Sequence, residues 1–136
     1  MSQKQELIAK LIPLLKEKGY KKKSNTWYKE TADLVILFHI QHSNYSQNVY
    51  SIILGIAIKA IKNNKGLSLN GDITHEISSK NEKGEFLSPE TLVSVLEFWE
   101  QQFGDLRKLR RKAVEGNLPI CSSGKAITFL TTVRLA

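Results

Sequence analysis

Between Tyr20 and Lys59 the chain reverses twice with very few residues in which to do so, and this constrains the fold more than any other feature. Tyr20 to Glu30 reads as extended, with Thr26, Trp27 and Tyr28 as strand formers. Thr31 to Asp33 is a short turn, Leu34 to Ser43 a second strand, Asn44 to Asn48 a turn cluster, and Val49 to Lys59 a third strand. Parallel neighbours need a crossover of about a dozen residues or more, and these connections have no room for one. An antiparallel meander follows. Asp72 to Ser78 alternates well enough to add a fourth strand.

Side chains alternate along a strand, so Leu34, Ile36, Phe38, Ile40 and His42 share one face of the second strand, and Val35, Leu37, His39, Gln41 and Ser43 the other. Both faces begin apolar and must be covered there; the second turns polar toward its end. Gly55 has no side chain to pack and marks a bulge or a close backbone approach.

Helical periodicity flanks these strands. Leu7, Ile8, Leu11, Ile12, Leu14 and Leu15 recur at helical spacing over residues 5 to 18, interrupted by Pro13 and stopped by Gly19. Ser88, Pro89 and Glu90 form a strong helix start. Leu92, Val95, Leu96, Trp99 and Phe103 continue its stripe. Gly104 and Asp105 end that helix and cap another, with Leu106, Leu109, Ala113 and Val114 expected to face inward and Gly116 and Asn117 closing it. In the tail from Gly124 to Ala136, Ala126, Phe129, Leu130 and Val133 suit a helix and the threonines a strand, with the helix preferred. The expectation is one α+β domain spanning residues 1–136: an antiparallel sheet of about four strands, with an N-terminal helix and C-terminal helices packed on it.

Composition narrows the setting. The single cysteine, Cys121, excludes an internal disulfide and has no neighbouring histidine to make it a nucleophile. With no secretory segment and no apolar run of membrane-spanning length, a reducing cytoplasm and no membrane association are expected. The formal net charge of +7 favours anionic partners: nucleic acid, an acidic protein face or a phosphorylated small molecule.

Three groups of residues are candidates for binding. His39, Gln41 and Ser43 lie on one strand face, spaced roughly 7 Å apart, and His75 joins them only if its strand points the same way. Local spacing sets no carboxylate beside these imidazoles to orient a base, because Glu76 points opposite to His75. His39 and His42 fall on opposite faces, which disfavours a metal. No catalytic residue, metal ligand or cofactor is therefore assigned, and a protein without enzymatic activity is expected. Trp27 and Tyr28 offer aromatic surface for a partner. Lys21, Lys22 and Lys23, together with Arg107, Arg110 and Arg111, are candidate anion-binding residues, the arginines being expected exposed. No phosphate loop and no nucleic-acid-binding fingerprint accompanies them.

The helix ending in KEKGYKKKSNTWYKE, the strand ending FHIQHS and the stretch VYSIILGI resemble a bacterial family known as domain of unknown function 4304. Gly19, Lys21 to Lys23, Trp27, Tyr28, Gln41, Ser43, Leu54, Gly55, His75 and Trp99 stand where that family's pattern has its recurring residues. The resemblance runs from about residue 5 to residue 110. Two departures stand out: His42 where the family more often has lysine, and Ile53 where it more often has a polar residue. The resemblance implies a small α+β protein of accessory or toxin-immunity type, with no transferable activity. Function is thus expected to be protein binding, with nucleic-acid or anion binding through residues 21–23 and 107–112 as the alternative. A charge of +7 suits an acidic partner and disfavours nuclease immunity, whose inhibitors meet basic active sites. Nothing in the sequence sets the oligomeric state.

Overall fold

The computed structural model describes residues 3–42, 50–59, 73–118, 121–122 and 130–131. Helix α1 (Gln3–Glu17) is followed by strands β1 (Lys21–Lys23), β2 (Thr26–Glu30), β3 (Leu34–His42), β4 (Tyr50–Ile58) and β5 (Ile73–Ser78). Helices α2 (Pro89–Phe103) and α3 (Leu106–Glu115) come next, and then β6 (Cys121–Ser122). The strands lie in chain order in one sheet and every pair is antiparallel. The α+β meander is therefore as expected, but the sheet is wider. Five strands have three or more residues, and the two-residue β6 pairs with Ile73 and Thr74 at its edge.

The extra strand arises because residues 20–30, expected to be a single extended segment, fold back on themselves. Ser24 takes a left-handed φ of 57° and, with Asn25, makes a two-residue loop that pairs Lys23 with Thr26. A positive φ at the first loop residue suits the right-handed twist of a tight hairpin. β1 is consequently an edge strand of three exposed lysines. Charged side chains, lysine above all, discourage other strands from adding to such an edge.

Each helix end has its cause in the sequence. α1 runs through the exposed Pro13 and closes at Gly19, where φ is 91°. There the Gly19 and Tyr20 amides donate to the Lys16 and Leu15 carbonyls, a left-handed glycine cap. The Ser88 hydroxyl accepts from the Thr91 amide to start α2, and the Asp105 carboxylate accepts from the Arg107 and Lys108 amides to start α3.

The helices cover one sheet face. On it stand Trp27, Leu34, Ile36, Phe38, Ile40, Ile52, Leu54, Ile56, Ile58 and Ile73, all buried against Leu7, Leu11 and Leu15 of α1 and Leu92, Leu96 and Trp99 of α2. Trp27 meets Phe38 edge-on with ring centroids 5.7 Å apart. Ile12, expected in the α1 stripe, stays 43% exposed. On α3 the inward residues are Leu106, Leu109, Arg110 and Ala113, at spacings of three and four. Val114 is one step past that stripe and is 73% exposed, contrary to expectation. The opposite sheet face carries a smaller buried cluster of Val35, Leu37 and Ala57 flanked by Tyr28, so the strands are apolar on both faces where the sequence indicated.

Gly55 sits in an unbroken register between Leu37 and Thr74, so it marks a close approach rather than a bulge. A Cβ there would lie 3.3 Å from the Leu37 Cβ. Of the tail expected to be helical, Leu130 and Thr131 are helical and the remainder lies outside the described residues.

Candidate functional site

Register decides which polar side chains meet. On the face away from the helices, Thr26, His39, Ile53 and Glu76 form one rank across β2 to β5. Gln41, Ser51 and Ser78 form the next rank toward the end of the sheet. Adjacent strands are about 4.8 Å apart, so these two ranks put hydrogen-bonding groups from four strands on one patch. The strand backbones hold them rigidly.

Within the patch the groups differ in freedom. Thr26 is buried, and its Oγ1 lies 2.9 Å from His39 Nδ1. Burial holds the His39 imidazole below its ordinary pKa, opposed by a hydrogen bond to the Asn25 backbone and reinforced by Lys4. The ring is half-buried, and its neutral form is favoured. Gln41 and Ser78 are exposed and Ser51 is half-buried. Ser78 Oγ accepts from the Lys80 amide at 3.1 Å. Beside them a hollow of about 520 Å³ is lined by Tyr50, Ser51, Glu76, Ser78, Ser79 and Lys80. Its far wall is stiff: Tyr50 is buried and stacks on Phe86, with centroids 5.7 Å apart and an interplanar angle of 8°. Lys80 Nζ lies 4.8 Å over the same Phe86 ring.

Among the described residues, no carboxylate is placed to orient the His39 ring. Glu76 shares the His39 face after all, but it is two strands away, roughly 9–10 Å between backbones, and among the described residues no hydrogen bond joins them. His39 Nδ1 is engaged by the buried Thr26 hydroxyl. No group of three metal-ligating side chains exists among the described residues. What the patch offers is a set of neutral donors and acceptors around a shallow hollow, with one carboxylate and one ammonium at its rim.

The other candidate residues are dispersed. His75 stands on the helix-covered face, opposite to His39, where it stacks on Trp99 with centroids 6.4 Å apart and an angle of 14°. Trp27 is buried in the core, and its neighbour Tyr28 necessarily points to the other face. Ser43 lies outside the described residues. Arg107 and Arg111 are exposed, whereas Arg110, expected exposed, is buried because it falls on the inward stripe of α3. The lysine run and these arginines do not form one surface. Lys112 of α3 sits over Phe103, which packs on Trp99 above β5, and β1 is four strands from β5.

Sequence reasoning did not reach a second polar cluster. The Tyr20 hydroxyl donates to Glu100 Oε1 at 2.7 Å, and Lys29 Nζ reaches both Glu100 oxygens at 3.3–3.4 Å. Lys29 also lies 5.6 Å over the Tyr20 ring. Burial first, and then the Glu100 hydrogen bond, push the Tyr20 phenol far above its ordinary pKa. With every charge paired, the cluster clamps α2 to the α1–β2 connection; it does not present a reactive group. Ser51 and Ser78 also escaped notice, and Glu76 was weighed only against His75, although the alternation of β4 and β5 would have placed all three once register was known.

No curated protein and no solved structure matches the chain. The family model of domain of unknown function (DUF4304) does match, over residues 11–85. That span is narrower than the resemblance in sequence suggested, and it leaves Trp99 and α3 outside. It runs from α1 through the whole β1–β5 meander, including the Gln41–Ser51–Ser78 rank, and covers more than half of the 136 residues. The chain therefore belongs to the DUF4304 family.

Proposed function

We propose that this protein is a non-enzymatic binding module, working in the cytoplasm, that engages a protein partner through the polar end of the sheet face opposite α1 and α2. The observation that carries this reading is the rank Gln41–Ser51–Ser78 beside the Thr26–His39 pair, held on four rigid strands next to a hollow of about 520 Å³. Preorganised hydrogen-bonding side chains bind without large ordering costs. Paired imidazole and separated carboxylate favour recognition over catalysis. The net charge of +7 selects an acidic partner by speeding encounter.

Comparative affinity capture tests this. Wild-type protein, Ser51→Arg and a distant control, Glu90→Arg, are immobilised and the retained proteins identified. An acidic protein held by wild type and control but lost from Ser51→Arg supports the proposal. Identical retention by all three overturns it.

A further inference from the structure

Strand β1 presents an edge and a charge pattern that the sheet-face reading does not use. It is the outermost strand of the sheet, and among the described residues no strand pairs with its outer side. Its register with β2 divides the lysine run. Lys21 pairs with Tyr28 and Lys23 with Thr26, so both stand on the face opposite α1 and α2. Lys22 stands on the other face, its Nζ 5.6 Å from the centroid of the Trp27 ring. Lys21 and Lys23 are exposed, lie about 7 Å apart along the strand, and have no ion pair among the described residues.

The backbone alternates with the side chains. Lys23 and Thr26 close a two-residue loop and so exchange both backbone bonds. In the next pair, Lys22 and Trp27, the amide and carbonyl of Lys22 therefore point outward, away from β2. The edge thus offers one donor and one acceptor, flanked on one face by two ammonium groups.

We infer that this edge pairs, antiparallel, with a short extended segment of a partner protein in which two acidic residues flank a third. The central residue exchanges backbone bonds with Lys22, and the two carboxylates fall opposite Lys21 and Lys23, at the same spacing of about 7 Å. Opposite charges facing each other across strands attract, and like charges repel. The lysines that keep out a basic or apolar strand, a second copy of β1 included, therefore select an acidic one. A single-stranded nucleic acid matches the charge and offers phosphate oxygens to the Lys22 amide, but it has no backbone donor for the Lys22 carbonyl. This inference is independent of the Gln41–Ser51–Ser78 surface.

The test titrates the full chain with a short capped peptide containing the run Glu-Val-Glu and follows backbone amides by NMR. Saturable shifts centred on Lys21, Lys22 and Lys23 are expected, with the Lys22 amide gaining protection from solvent exchange. A peptide with lysine in place of both glutamates does not saturate, and methylating the valine nitrogen weakens binding about tenfold. The double variant Lys21→Gln/Lys23→Gln weakens binding about fivefold or more. Lys22→Gln, which removes a charge from the other face, and Arg107→Gln/Arg111→Gln, which removes two from α3, each leave affinity within about twofold. The inference is overturned by no saturation up to about 20 mM peptide, by equal losses in the two double variants, by unchanged binding of the N-methylated peptide, or by a mixed-sequence single-stranded DNA that binds Lys21 to Lys23 more tightly than the peptide.

Discussion

Thr26 and His39 face each other across β2 and β3, Oγ1 to Nδ1 2.9 Å, at the border between the apolar and polar halves of the sheet face opposite α1 and α2. The pair satisfies a buried hydroxyl and fixes the imidazole ring beside Gln41.

A pH dependence follows from this contact. The folded-state pKa of His39 is lowered below its ordinary 6.5, chiefly by burial. The neutral ring is therefore the form that folding favours. The stability it contributes is complete above pH 6.5 and is lost as pH falls from there through the folded-state pKa. His39→Gln should flatten the difference in melting temperature between pH 7.5 and 5.5 relative to wild type. An NMR titration should place the His39 midpoint below that of a histidine in an unfolded peptide.

Tyr20 gives the opposite limb. Its phenol pKa is raised above 10.0 by burial and by the hydrogen bond to Glu100. Its contribution is present below pH 10 and is lost as pH rises from there through the folded-state pKa. Tyr20→Phe should cost about 1 kcal/mol at pH 7 through the lost hydrogen bond. The gap to wild type should narrow in denaturant melts at pH 11.

Ser24 holds a left-handed conformation that non-glycine residues adopt at a cost. Ser24→Gly should raise stability by about 0.5 kcal/mol, strain relief outweighing the added freedom of the unfolded chain. Ser24→Val should lower it by about 1 kcal/mol or more, since a β-branched residue fits that region worst. Thermal melts of the two variants distinguish these signs.

Gly55 is tied to both sheet faces. Its carbonyl accepts from Trp99 Nε1 at 3.2 Å, and an added Cβ would press on Leu37. Leu37 is itself buried, so it has little room to yield. Gly55→Ala should destabilise by about 1–2 kcal/mol, and Trp99→Phe by about 1–3 kcal/mol through the unpaired carbonyl and lost contacts. Urea unfolding midpoints measure both.

The meander was legible because β3 and β4 carry long apolar runs, and the short connection between β2 and β3 forces reversal. The strand β1 was not, because Lys21–Lys23 has no apolar pattern and the turn at Ser24 and Asn25 uses an unfavoured φ. Alternation correctly put Glu76 opposite to His75; what it lacked was register. Only pairing His39 with Ile53, and Ile53 with Glu76, shows that Glu76 shares the face of His39 while His75 does not. The α3 stripe was one residue from right. Leu106, Leu109 and Ala113 were read as inward, yet the position they share with Arg110 was given to Val114 because arginine is so seldom buried. The contact between Tyr20 and Glu100 joins residues 80 apart and depends on helix packing alone.

The most direct measurement is photo-cross-linking in cells that make the protein, with a photoreactive residue at Gln41 and, separately, at Glu90 on α2. The Gln41 probe should yield one discrete adduct with an acidic protein, lost on Ser51→Arg, and the Glu90 probe should not. The same adducts from both positions, or none from Gln41, would contradict a partner surface at the polar end of the sheet.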